Sequence, residues 1–288
     1  MGPCIKGVCQ RRLTHSMSSL LSLIEFSLLK DGSPVDFQLQ SGRAMAVMGP
    51  AASGKSFFID CLMGRETPRL GFVRTSAALV EAGLPGGRRL RPQAIAQKGP
   101  GPDRAALAAE ALIATGLWDA RQTSLEKLSP SQHTACELLG PLAGRGPLLV
   151  IDGHLDTLDP WTLTSTWSLI RKRLNEGAGL VVVTNRAELA SECDDLLVLR
   201  DLQVRYCGSI EGILSDEPSE ISIETFRSEV VQSLAEPLAL SIAKTERGLE
   251  ARAAQGQDLA AQLLLAGYGD IRATVLRAPT LEQALARL

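Results

Sequence analysis

The sequence has no excess of either charge. Over its 288 residues, 30 Lys and Arg stand against 32 Asp and Glu, a formal net charge of −2. That balance gives no bulk electrostatic attraction for a nucleic acid, and no nucleic-acid partner is expected. It also lacks any run approaching the roughly 20 apolar residues that a membrane span requires. The opening, MGPCIKGVCQRRLTHS, lacks the apolar stretch of about 7–15 residues found in a secretory signal. It begins Met-Gly, but Lys6 stands where a myristoylation signal wants Ser or Thr. The six cysteines, Cys4, Cys9, Cys61, Cys136, Cys193 and Cys207, form no C-x-x-C pair. His15, His133 and His154 are scattered without metal-ligand spacing. Reduced thiols in a cytoplasmic protein account for that pattern. What remains is an ordinary globular composition, 45% hydrophobic and 22% charged, sized for one large domain with an appendage or for two domains. Ordered structure is expected from about Met17, with residues 1–16 a flexible tail.

The most informative stretch is AVMGPAASGKSFFIDCLMG, residues 46–64. It fits Gly-x-x-x-x-Gly-Lys-Ser: Gly49, Pro50, Ala51, Ala52, Ser53, Gly54, Lys55 and Ser56, followed by Phe57. The apolar run Ala44–Met48 before it reads as a buried strand. The pattern after it reads as a helix with Phe57, Phe58, Cys61 and Leu62 inward. Glycines let backbone N–H groups turn toward phosphates at a helix N-terminus, whose dipole favours anions. Lys55 is expected to reach the β- and γ-phosphates, and the Ser56 hydroxyl to sit on Mg²⁺. The cofactors expected are ATP and Mg²⁺.

A second element, LLVIDGHLDTLDP at 148–160, places Asp152 at the carboxyl end of a buried-strand run, where ligands bind in open α/β sheets. There it would hold Mg²⁺ partly through water, opposite Ser56. GLVVVTN, ending at Asn185, reads as another strand, and DDLLVLRDLQVRYCG as a hairpin. Helical patterns fall near 103–115, 131–143 and 161–175. Strands alternating with helices predict an α/β fold with a mostly parallel sheet.

With these motifs in order, residues 20 to about 212 resemble the nucleotide-binding subunit of an ABC transporter, a P-loop NTPase. The family's signature is matched by Leu128, Ser129, Pro130, Ser131 and Gln132, and its later Leu-Asp by Leu158 and Asp159. The resemblance implies a permease in a separate chain, and a homodimer or a heterodimer with another ABC ATPase. It also implies a peripheral place at the inner, cytoplasmic face of the membrane. The departures cluster on catalysis. Gly153 stands where the family has the glutamate that polarises water, and Asn185 stands at its switch histidine. Pro130 and Ser131 replace the signature glycines, and Pro130 has no N–H for a phosphate. Glu81 occupies the place of the Q-loop glutamine, with Gln93 and Gln97 nearby. Losing a positioned general base costs about 10²–10⁴-fold in rate, so the resemblance implies ATP binding with weak hydrolysis. Asp156 and Glu81 are the acids left to take the base's place. Phe26, Leu28 or Leu29 falls where the family stacks adenine, although Phe26 reads equally well as a core strand residue.

The Gly- and Pro-rich stretch 83–102 reads as a solvated loop carrying Arg88, Arg89 and Arg91. Trp118, Trp161 and Trp167 are expected to pack. From 215 the texture changes: SDEPSE reads as an acidic linker, and helical stretches rich in Ala, Leu and Gln follow. A strand then alternates at Ile271, Ala273 and Val275, and a closing helix begins at Thr280 with a Gln283 capping box. APTLEQAL resembles the end of ABC-2 class exporter ATPases. The division expected is tail 1–16, nucleotide-binding domain 17–214 and small C-terminal α/β or helical appendage 215–288. A chain stopping near Gly212 should then fold and bind ATP. Gly153→Glu should restore part of the hydrolysis, and more when Pro130→Gly and Ser131→Gly are added. The alternative function is a nucleotide-sensing regulator or scaffold of the same fold that is not engaged in transport.

Overall fold

The computed structural model describes residues 19–76, 78–85, 90–98, 102–144, 146–254, 256–266 and 269–288. The expected tail, Met17, Arg88 and Arg89 lie outside the described residues. In chain order the elements begin with β1 (Ser19–Ser27), β2 (Val35–Gln40), β3 (Ala44–Met48), α1 (Lys55–Leu62), β4 (Leu70–Thr75) and β5 (Leu79–Glu81). Next come α2 (Pro92–Ala96), α3 (Arg104–Ala114), α4 (Pro130–Glu137), α5 (Leu139–Ala143), β6 (Leu148–Asp152) and α6 (Pro160–Asn175). Then follow β7 (Gly179–Val183), α7 (Ala187–Ser191), β8 (Asp195–Arg200), β9 (Gln203–Ser209) and α8 (Ile210–Ser215). The chain closes with β10 (Ser219–Thr225), α9 (Ser228–Ala235), β11 (Ser241–Thr245), β12 (Gly248–Ala253), α10 (Gly256–Ala266), β13 (Ile271–Arg277) and α11 (Leu281–Leu285).

The central sheet has six strands in the order β5-β6-β7-β3-β8-β9, parallel except for the β8–β9 hairpin. Its inner strands are apolar along their length because both faces are covered. The strand period of two divides them cleanly. Met45, Val47, Val150, Val181 and Val183 face a core shared with α1 and the antiparallel sheet β2-β1-β4. Ala46, Met48, Ile151, Leu180 and Val182 face the core built with α3–α8. Phe26 of β1 is fully buried in the first of these, edge-to-face on Phe58 at 5.6 Å. It is a core residue and is not available to stack on adenine.

Three expectations are corrected. Residues 219–253 hold β10, β11 and β12 around α9, where the sequence reads as linker and then helix. With α10 and β13 they form a β-α-β-β-α-β unit, an antiparallel sheet of order β11-β12-β10-β13. Its core is Ile221, Ile223, Val231, Leu249, Leu259 and Leu263. Trp161 is 81% exposed and does not pack, whereas Trp167 is buried. Trp118 is also exposed, under the Arg121 guanidinium at 4.3 Å. Within the expected loop 83–102, Pro92 pre-sets the turn that starts the short helix α2.

The closing helix α11 returns to the nucleotide-binding part. Thr280 and Gln283 form the expected capping box. Leu281 and Ala284 are buried in the same core as Leu189 and Ala190 of α7 and Ile210 and Ile213 of α8. Arg287 pairs with the buried Glu217 at 3.0 Å. The β-α-β-β-α-β unit is therefore held between two helices that both seal the main core. This geometry replaces the expectation of a clean cut near Gly212, which would remove α11 and split α8. We expect that truncation to lower the thermal midpoint sharply. Replacing only residues 218–278 by a short Gly/Ser linker should preserve far more of it. Leu281→Ala should cost about 2–4 kcal/mol, read in urea as a lower midpoint at unchanged slope.

Candidate functional site

The strand order puts the expected site residues together. β6, β7 and β3 are neighbours and parallel, so Asp152, the Thr184–Asn185 turn and the phosphate loop leave the same sheet edge side by side. Gly153 N–H donates to Val183 O at 3.0 Å and Thr184 N–H to Val47 O at 3.2 Å, which carries the ladder beyond the strand ends. Gly49 has to be glycine, because a Cβ there would lie 2.0 Å from Leu199 O. Gly54 is left-handed at φ 102° and caps α1 without a side-chain bond, with no acid in the first turn. The first N–H groups of α1 thus face outward uncapped, as an anion site requires.

Within the loop, Pro50, Ala51 and Ala52 are exposed, and so is Ser56. Ser53 is buried, and its Oγ has no hydrogen-bond partner, an orphan that a phosphate oxygen would suit. Lys55 Nζ donates to Gly49 O and to Pro50 O, the latter at 2.8 Å. Burial pushes the Lys55 amine below its ordinary pKa, against the pull of the Asp152 carboxylate. Phe57 is only half-buried, beneath Arg69 at 5.5 Å. Phe58, Ile59, Cys61 and Leu62 are the inward face.

Asp152 is half-buried at the end of β6. Burial raises its pKa, His154 opposes the rise, Glu81 adds to it, Lys55 opposes it and Asp60 adds to it. Lys55 and Ser56 on one side and Asp152 on the other are hard oxygen and amine groups suited to phosphate with Mg²⁺. A divalent cation would also offset the crowding of acids around Asp152. Glu81 is not a bare acid at the triphosphate: Arg65 bridges it to Asp60.

Gly153 has φ 73°, a left-handed conformation, with nothing within 4 Å of where a Cβ would stand. The side chain of Asn185 is exposed at the mouth of the site. Asp156 has both oxygens engaged, by Thr184 Oγ1 at 2.5 Å and Asn185 N–H at 2.9 Å, which sets it apart from a free base. Ser129 is the N-cap of α4: its Oγ accepts from Gln132 N–H at 3.3 Å, and Gln132 Oε1 accepts from Ser129 N–H at 3.1 Å. Pro130 is the first helical residue, Ser131 is exposed and Leu128 is half-buried against the core. His154, which follows Gly153, pairs with Glu137 of α4 at 2.9 Å.

No family model matches the chain. The thiamine import ATP-binding protein of Brucella suis is 27% identical over 210 residues, covering 66% of this chain and 87% of its own length. The L-cystine import ATP-binding protein of Bacillus subtilis is 23% identical over 229 residues, covering 69% and 85%. An inward-facing ABC transporter of metal-chelate type matches at TM-score 0.59 and 18% identity, over 82% of this chain and 96% of that one. The ATP-binding subunit of another ABC transporter matches at TM-score 0.56 and 19% identity, over 68% and 92%. This is the ABC ATPase fold. Homologues of the chain are ATP-binding subunits of ABC transporters.

Within this ABC ATPase fold a cleft of about 660 Å³ lies at the opposite end of the sheet, lined by Arg43, Asp194, Gln257 and Pro279 among others. It is separate from the phosphate loop. The left-handed Gly153 alters what a restored glutamate can do: Gly153→Glu meets no clash, but its backbone costs roughly 1–2 kcal/mol. We expect a lower unfolding midpoint and little gain in phosphate release. Gly153→Asn, better tolerated in that conformation, should lose less stability.

Proposed function

We propose that the chain is the ATP-binding subunit of a membrane transport complex, holding MgATP and hydrolysing it slowly. The observation that carries the reading is the phosphate loop's geometry: a Gly49 with no room for a Cβ, an orphaned buried Ser53 hydroxyl and an uncapped α1 N-terminus, on the same sheet edge as Asp152. In this reading the backbone from Gly49 to Phe57 cradles the phosphates, with Lys55 on their charge. Ser56 and Asp152 hold Mg²⁺, Asp152 partly through water. The metal supplies charge neutralisation at the phosphates; this chain supplies position and a partly dry cradle. The signature-like turn Leu128–Gln132 serves the site of a second ATPase, either a copy of this chain or a more complete subunit. Among the described residues no helix is long and apolar enough to cross a membrane. In this reading a permease in a separate chain completes the complex, with this subunit at its cytoplasmic face. Import rather than export is favoured by the relatives, which serve thiamine and L-cystine import.

The left-handed Gly153 also supports a second reading, a nucleotide clamp that senses ATP in a complex not engaged in transport. Co-purification separates the two, since a permease partner fits only the first. For both, calorimetric titration should give Mg²⁺-dependent ATP binding that Lys55→Ala weakens by about thirtyfold or more. That figure is the order set by one charged hydrogen-bonding group of about 2–3 kcal/mol. Equal affinities would remove Lys55 from the site and the nucleotide with it.

A further inference from the structure

We propose that β13 is a self-association edge: it pairs antiparallel with β13 of a second copy of this chain, joining two C-terminal sheets into one. The pairing stands independently of the nucleotide-binding reading. The sheet order β11-β12-β10-β13 leaves one side of β13 without a strand. Which of its backbone groups are left over follows from β10. Ile223 O lies against β12, since a Cβ on Gly248 would stand 2.0 Å from it, and Thr225 N–H donates to Arg247 O at 3.1 Å. The alternate residues Glu220, Ser222 and Glu224 therefore turn toward β13, opposite Arg277, Val275 and Ala273. Arg272, Thr274 and Leu276 turn the other way, with N–H and C=O groups aimed at the open side.

That edge lacks the usual protections. Edge strands are normally kept short or guarded by lysine, proline or a bulge. The opposite edge, β11, has five residues and carries Lys244. β13 has seven, with neither lysine nor proline, and its Val275 and Leu276 are exposed. Its sequence, IRATVLR, also suits its own reverse. Centred on Thr274, an antiparallel pair sets Ala273 opposite the partner's Val275, Arg272 opposite the partner's Leu276 and Ile271 opposite the partner's Arg277. No like charges meet in that register. Thr274 then faces the partner's Thr274. Among the described residues its Oγ1 is buried without a hydrogen-bond partner, and a threonine directly across two strands supplies one. An unrelated strand could use the same backbone groups, but the register and the orphaned hydroxyl favour a copy of this chain. α10 packs on β13, so the pairing also brings two copies of α10 together, each ending in the exposed Leu264 and Leu265. Under the proposed function, this seam makes the second ATPase a copy of this chain.

The test is sedimentation equilibrium of the full chain over a concentration series without nucleotide, where a dimer is expected. A monomer throughout the series, or a dimer seen only with MgATP, would overturn the proposal. Ala273→Lys combined with Val275→Lys should weaken the dimer about tenfold or more, because lysines then face each other twice across the seam. Ala273→Glu combined with Val275→Lys sets opposite charges in the same places and should restore it. Both positions are exposed, so these two variants keep the fold and carry the test. Thr274→Pro removes an N–H at the open edge, where proline is tolerated, and should abolish the dimer. If the charge variants dimerise as the wild type does, the copies meet elsewhere and β13 is not the seam.

Discussion

Three strands buried on both faces, β6, β7 and β3, lie parallel and end at the same edge of the sheet. Their interior cannot hold a charge without a partner, so every group that has to meet an anion or a cation is displaced to the point where burial stops. Lys55, Asp152 and Asn185, which the proposed function sets around phosphate and metal, stand at that edge. The pairing of β7 with β6 and with β3 fixes which face each strand presents. It thereby fixes the register that brings Gly153 under Val183 and Thr184 beside Val47. A slip of one residue in β7 would exchange the two cores its side chains fill and carry Asn185 away with it.

The site separates into parts that bind and parts that turn over. Under the proposed function the first set is complete in geometry: a glycine with no room for a side chain, an uncapped helix start, an orphaned Ser53 hydroxyl and a lysine held on the loop carbonyls. The second set, under the proposed function, lacks an acid at Gly153, and the acids nearby are engaged elsewhere. Glu81 belongs to Arg65 and Asp156 to the Thr184–Asn185 turn. An acid that already accepts two strong hydrogen bonds is a poor acceptor for a water proton. Slow hydrolysis under the proposed function is thus a property of the whole hydrogen-bond network around Gly153.

The C-terminal unit is tied to this network by packing. α11 shares a core with α7, and α7 begins just past Asn185. The buried Glu217 and Arg287 close the loop where the inserted unit leaves and rejoins the main body. The ion pair alone is partly exposed and contributes modestly. The buried Leu281 supplies the larger share by the area it removes from water.

The sequence by itself determined the elements whose chemistry is local. The phosphate loop, Asp152 at a strand end, the β8–β9 hairpin, the ordered signature-like turn and the Thr280 capping box all follow from neighbours within a few residues. Those neighbours set backbone geometry directly. Only the tertiary structure decided the rest. Phe26 could stack on a base or fill a core, and a partner from α1, Phe58, made it core. β10 and β12 carry short alternations in an Ala-rich stretch whose composition suits a helix, and pairing with β13 and β11 overrode that preference. Asp156 reads in the sequence as one more acid near the site. Its hydrogen bonds go to Thr184 and Asn185, which come beside it only when β6 and β7 pair, because a hydrogen-bond partner distant along the chain leaves no periodicity to read.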